Sequence, residues 1–175
     1  MWLHPALGAA GCALLALRLP AHSRPQMLVL ASWLALACAG LILSAMDIAT
    51  HRLPTSAITA TGATVGALVA GAAVADGSGR LALAALAGSG FCGSVYLAIA
   101  LVSGARMGLG DVRLAAVLGL GLGTAGPGPV IIGTLAPFVL AMPTALALLA
   151  RGHNGSSELP FGPFVVAGAV LAVSL

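Results

Sequence analysis

The sequence predicts an all-α protein, a polytopic transmembrane helical bundle of six to seven helices forming a single domain over residues 1–175. Three observations carry that expectation. Hydrophobic residues make up 60% of the chain and charged residues only 6%, too little polar surface for a water-soluble fold. Apolar runs recur at lengths near the roughly 20 residues that a membrane-spanning helix needs. The longest polar connection between them, Arg151 to Leu159, has no room for a soluble domain. Without water, backbone donors and acceptors must be satisfied internally, so such runs close on themselves as helices.

Seven segments satisfy the rule in chain order: Trp2 to Leu17, Met27 to Met46, Thr55 to Ala75, Leu81 to Ser103, Val112 to Thr124, Pro129 to Ala150 and Pro160 to Leu175. The first, fifth and last are short, which leaves six as the competing count. No Lys or Arg precedes the first segment, and Leu17-Arg18-Leu19-Pro20 makes a poor cleavage site. The expectation is therefore a retained helix within residues 1–26, not a removed signal peptide. The third segment ends at Asp76-Gly77-Ser78-Gly79-Arg80, a solvated turn by composition. Small residues four apart, as in Gly62 and Gly66 or Gly104 and Gly108, let helices approach where lipid is as apolar as leucine. Gly88-Ser89-Gly90-Phe91-Cys92-Gly93 matches a dinucleotide-binding pattern, but with no strand before it the glycines are read as packing surface.

Seven arginines, no lysine and four acids give a net charge of +3. The arginines sit at the ends of apolar runs, as membrane anchors do, and no basic cluster is interleaved with aromatics, so nucleic acid is not an expected partner. Alternating helices put Arg52, Arg106, Arg113 and Arg151 on one side and Arg18, Arg24 and Arg80 on the other, which does not fix the orientation. Cys12, Cys38 and Cys92 are read as buried free thiols, with no CxxC pair among them. His4, His22, His51 and His153 lack metal-ligand spacing, so neither a metal nor another cofactor is expected. Trp2 and Trp33 suit interfacial or packing positions.

Two acids stand apart from this background. Asp111 lies in Met107-Gly108-Leu109-Gly110-Asp111-Val112-Arg113-Leu114, and Asp47 lies 64 positions upstream (111 minus 47), each at a helix boundary on the same face of the bundle. A carboxylate near membrane depth is costly unless it faces a cavity or a partner. Two carboxylates at short range do not both ionise easily, so one keeps a proton while the other acts as base, an arrangement suited to peptide hydrolysis by an activated water. The glycines flanking Leu109 would let the backbone leave helical geometry there. The competing explanation is helix capping, which fits Asp111 ahead of its apolar run. It fits Asp47 poorly, because a negative charge after a run opposes that helix's dipole.

Asp47 with Arg52, Leu53 and Pro54, then Gly108-Leu109-Gly110-Asp111-Val112-Arg113-Leu114, then Leu159-Pro160-Phe161-Gly162-Pro163-Phe164, together resemble the prepilin peptidases, the type IV leader peptidases among the GxGD aspartic proteases. The motifs occur in the family's order, and the resemblance runs from about Leu30 to the C-terminus. It implies an aspartic endopeptidase of the inner (cytoplasmic) membrane, with its active site at the cytoplasmic face, that cuts the leader from type IV pilin or pseudopilin precursors. Membrane lipid is the other implied partner. By the same resemblance Asp47 and Asp111 are the catalytic pair and Gly108 and Gly110 the loop presenting the second acid. Arg52 and Pro54 match the family's basic-then-proline turn, and Arg113 stands where many relatives have lysine. The paired CxxC motifs of larger members, linked to methylation, are missing, so the chain resembles the short, peptidase-only form.

Pro160 and Pro163 bracket Gly162 and would delay the last helix, leaving irregular backbone that could line a peptide-binding groove. Glu158, Arg52, Arg106 and Arg113 could touch substrate, though ordinary interfacial and snorkelling roles serve them as well. Three other functions fit the composition. A presenilin-like or signal-peptide-peptidase relative would need Pro-Ala-Leu after the second acid, whereas Pro5-Ala6-Leu7 precedes both. A small proton-coupled transporter could use the same two Asp residues, but no internal repeat supports it. A nonenzymatic subunit of a secretion assembly has no need of two acids on one face.

Overall fold

The computed structural model describes residues 23–50, 54–103, 107–150 and 161–175, and these form six helices. They are α1 (Arg24–Thr50), α2 (Thr55–Asp76), α3 (Arg80–Ser103), α4 (Leu109–Ala125), α5 (Pro127–Ala150) and α6 (Gly162–Ser174). The fold class read from composition is the one observed. The expected segment Trp2 to Leu17 lies outside the described residues. Four helices, α1, α2, α3 and α5, are long and apolar enough to cross a membrane. Their outward faces carry large apolar side chains, with Val102 90% and Val74 81% exposed, as a lipid-facing surface requires.

The helices are arranged as a ring around one member. α4 packs against all five others, and the five close on one another in the order α1, α2, α3, α5, α6 and back to α1. Surrounding a helix on every side demands small residues. α4 supplies Gly119, Gly121 and Gly123, all buried, alongside Leu114, Leu118 and Leu122. Against α3 the approach is close enough that a Cβ on Gly119 would sit 2.6 Å from the carbonyl oxygen of Gly88. A Cβ on Gly123 would overlap the carbonyl oxygen of Ala84 and come within 2.7 Å of the Ala85 Cα. Gly88 is thus spent on helix packing, and Gly93 likewise meets Ala116, in agreement with the packing reading of that glycine cluster.

On the other side of α4 a Cβ on Gly121 would meet Leu36 and the ring of Trp33. Trp33 is 1% exposed, a packing residue and not an interfacial one. Thiol placement departs from expectation: Cys92 is buried but Cys38 is exposed. An apolar run faces lipid as readily as core, so hydropathy alone could not tell the two apart. The turn after α2 is as expected, with Gly77 at φ 67° closing the helix and the Ser78 hydroxyl donating to Asp76 Oδ2 at 2.6 Å. α5 continues through Pro137 and Pro143, and Pro137 packs its ring against Gly168 of α6.

Candidate active site

The last turn of α1 and the first turns of α2, α4 and α6 come together at one end of the bundle. Asp47 belongs to α1, which does not stop at Met46 as hydropathy predicts but runs on to Thr50. Its side chain is 6% exposed. Such a group needs a hydrogen-bond partner, and Asp47 Oδ2 accepts the backbone N–H of Gly162 at 2.9 Å. Gly162 is the first residue of α6, so Asp47 sits on the positive end of a helix that is not its own. The capping objection raised from sequence is therefore corrected: Asp47 opposes the dipole of α1 but complements that of α6.

Gly162 has a steric role as well. A Cβ at this position would lie 2.9 Å from Asp47 Oδ2 and 3.4 Å from its Cβ and Cγ. The glycine lets the start of α6 press on the carboxylate, and residues 151–160, which lead into the expected groove, lie outside the described residues. Pro163 falls in the first turn of that helix, where proline is tolerated because the missing N–H has no intrahelical partner. The helix begins at Gly162, two residues later than Pro160, which lies outside the described residues.

Asp111 is the third residue of α4, with Gly108 as the flanking cap in extended geometry (φ −69°, ψ 143°). Any residue adopts those angles, and Gly110 is already helical. The conformational freedom expected of these glycines is thus not what the local backbone uses. Nor is glycine needed there for space: a Cβ on Gly108 would approach Asp111 Oδ2 only to 3.7 Å, ordinary contact. Asp111 lies outside the four spanning helices. Burial pushes its carboxyl up from 3.8 to about 6, the charge of Asp47 adds to the rise, and the backbone of Gly108 pulls the other way. Asp47 and Asp111 are therefore close enough for one to feel the other across the junction of α1 and α4.

Arg113, two residues after Asp111 and therefore on the far side of α4, is exposed and does not pair with either acid in any described contact. Its Nη1 donates to Thr55 Oγ1 at 2.8 Å and ties the start of α2 to α4. Pro54 stands at the cap of α2, in extended geometry. Arg52, Arg106 and Glu158 lie outside the described residues.

Next to the acids lies a cluster that sequence reasoning did not single out as functional. Tyr96 of α3 is 1% exposed and sits within electrostatic reach of Asp111. Its ring packs against Phe138 of α5 at 5.4 Å between centroids and against Phe161 at 6.3 Å. Phe161 in turn meets Phe138 at 5.2 Å and Phe164 at 6.3 Å. The sequence signal was available: the chain has one tyrosine and four phenylalanines, and this cluster uses the tyrosine and three of them. Behind it, a cavity of roughly one water's size is lined by Cys92, Tyr96, Gly133 and Thr134. Across it Cys92 Sγ and Thr134 Oγ1 are 3.2 Å apart, and the Tyr96 hydroxyl donates to the Thr134 carbonyl at 3.5 Å.

No group of three or more metal-ligating side chains is present among the described residues. No protein-family model, curated protein or solved structure matches the chain. What the arrangement offers chemically is two acids from distant parts of the sequence, one of which retains its proton well above the usual carboxylate range.

Proposed function

We propose that this chain is a membrane aspartic endopeptidase that removes the leader peptide from type IV pilin-like precursors at the cytoplasmic face of the cytoplasmic membrane. The observation that carries the reading is that buried Asp47, held by the Gly162 amide, lies within electrostatic reach of Asp111 at one end of the bundle, with Asp111 raised to about 6 by burial and by Asp47. The resemblance of three ordered motifs to the prepilin peptidases supplies the substrate class.

In this reading the protonated Asp111 donates a hydrogen bond to the scissile carbonyl. Asp47, with Oδ2 held by the Gly162 amide, takes a proton from a water between the two acids. The hydroxide adds to the carbonyl carbon as Asp111 gives its proton to the carbonyl oxygen, forming a tetrahedral diol. Collapse breaks the C–N bond as Asp47 passes its proton to the departing amine and Asp111 recovers one from the diol. Water and amide become acid and amine, with no covalent enzyme intermediate. Asp47 faces the N-terminus of α6 and Asp111 lies in the first turn of α4, so the negative charge that the pair shares is favoured by fixed dipoles.

The test is co-expression with a pilin-like precursor in membranes, following precursor size on a gel for the native chain, Asp47→Asn and Asp111→Asn. The expected result is processing by the native chain alone. Processing by either variant at the native rate overturns the assignment. Proton flux across vesicles that is lost in both variants, without any processing, replaces it with proton-coupled transport.

A further inference from the structure

Phe161 belongs to no helix, yet it is the residue on which the start of α6 turns. Its backbone carbonyl accepts the N–H groups of Phe164 and Val165, at 3.0 and 3.2 Å, and so opens the helix. Its side chain is gripped by Tyr96 of α3, Phe138 of α5 and Phe164 of α6 itself. The next amide in the chain is that of Gly162, which donates to Asp47. A shift of Phe161 therefore moves the donor that fixes Asp47.

We propose that Phe161 is the positioning residue of the acid pair: clamped among Tyr96, Phe138 and Phe164, it sets the start of α6 so that the Gly162 amide holds Asp47 beside Asp111. The clamp bears on both acids. Tyr96 lies within electrostatic reach of Asp111, and through Phe161 the same ring reaches the peptide that holds Asp47. Aromatic packing suits the task because broad, stiff rings at centroid separations of 4.5–7 Å resist sliding and lose little side-chain entropy. The fourth phenylalanine, Phe91, is 45% exposed on α3 and stands outside the cluster, which makes it the natural control.

The kinetic side of this inference rests on the peptidase reading, so the deciding measurement does not use cleavage. The chain contains three aspartates, Asp47, Asp76 and Asp111, so protein labelled with carboxyl-¹³C aspartate gives three assignable carboxyl resonances in detergent. The groups facing Asp111 are Asp47 from α1 and Tyr96 from α3. Asp47→Asn should move the Asp111 midpoint down in the native background. In Phe161→Ala the same substitution should move it by less than about half as much, because Asp47 has already lost its register. Phe161→Tyr, which keeps the ring, and Phe91→Ala should both retain the native shift. Phe161→Leu repeats the measurement should the alanine variant fail to fold. An Asp47→Asn shift of equal size in the native and Phe161 backgrounds, or none in either, overturns the proposal.

Cleavage, where it is observed, adds a second reading. Phe161→Ala should lower kcat on the order of tenfold with KM unchanged, as misplacement of a reacting group does. Absence of cleavage by the native chain would remove the peptidase reading while leaving the resonance measurement to decide the role of Phe161.

Discussion

Replacing Asp111 with asparagine should stabilise the protein at neutral pH, and the size of the effect follows from the environment of the carboxyl. Its pKa in the folded chain stands at about 6 against an ordinary 3.8. Each unit is worth about 1.4 kcal/mol, so a displacement of this size corresponds to ~3 kcal/mol at most, and about 2 kcal/mol once the partial exposure of the side chain is allowed for. The sign is fixed by linkage. The folded state holds its proton more tightly than the unfolded one, so between pH 4 and 6 the folded state binds more protons and its stability falls as pH rises. Below pH 4 both states are protonated and the penalty disappears. The pair of proteins should therefore unfold at similar temperatures near pH 3.5, with Asp111→Asn becoming the more stable by about 2 kcal/mol near pH 7.5. Thermal unfolding in detergent, followed by circular dichroism at matched ionic strength, reads this out. A difference between the two that stays constant from pH 3.5 to 7.5 would refute the reasoning, because no group at this position would then be titrating anomalously.

Gly123→Ala should destabilise the bundle by about 1–3 kcal/mol, since the new methyl would collide with the backbone of Ala84 and Ala85 and neither can retreat as a side-chain tip would; an unchanged melting temperature would contradict the α3–α4 approach described. On the peptidase reading, Gly162→Ala should reduce precursor cleavage at least tenfold by pushing a methyl to 2.9 Å from Asp47 Oδ2, measured as initial rate in membranes containing equal amounts of folded protein. Arg113→Met should cost less than about 1 kcal/mol in thermal stability, because the bond it loses to Thr55 is exposed.

Hydropathy located each described helix to within a few residues, because a lipid-spanning run is both long and apolar. It failed at the ends, and there for a chemical reason. The second predicted segment stopped at Met46 and the fifth began at Val112, in both cases excluding the acid. Hydrogen-bonded helix continues through Asp47, whose carboxylate has found the Gly162 amide, and starts before Asp111, where negative charge suits a helix N-terminus. A scale that assigns each residue a fixed cost cannot know that a partner 115 positions away removes it. From the residues alone the pairing of the acids was legible only as parity, since alternating helices put both on one side; the resemblance of the motifs is what named them as a pair. The trans cap from Gly162 and the aromatic clamp were not legible, because each depends on which helices are neighbours in the ring.

That Asp111 rides on the enclosed helix has a bearing on how the two acids share their work. Five neighbours leave that helix little room to shift, so Asp111, in its first turn, serves as the anvil. Asp47 is backed instead by the start of α6, a 13-residue helix on the rim. On the peptidase reading, whatever adjusts when a chain is received should be sought on that side, in the hammer.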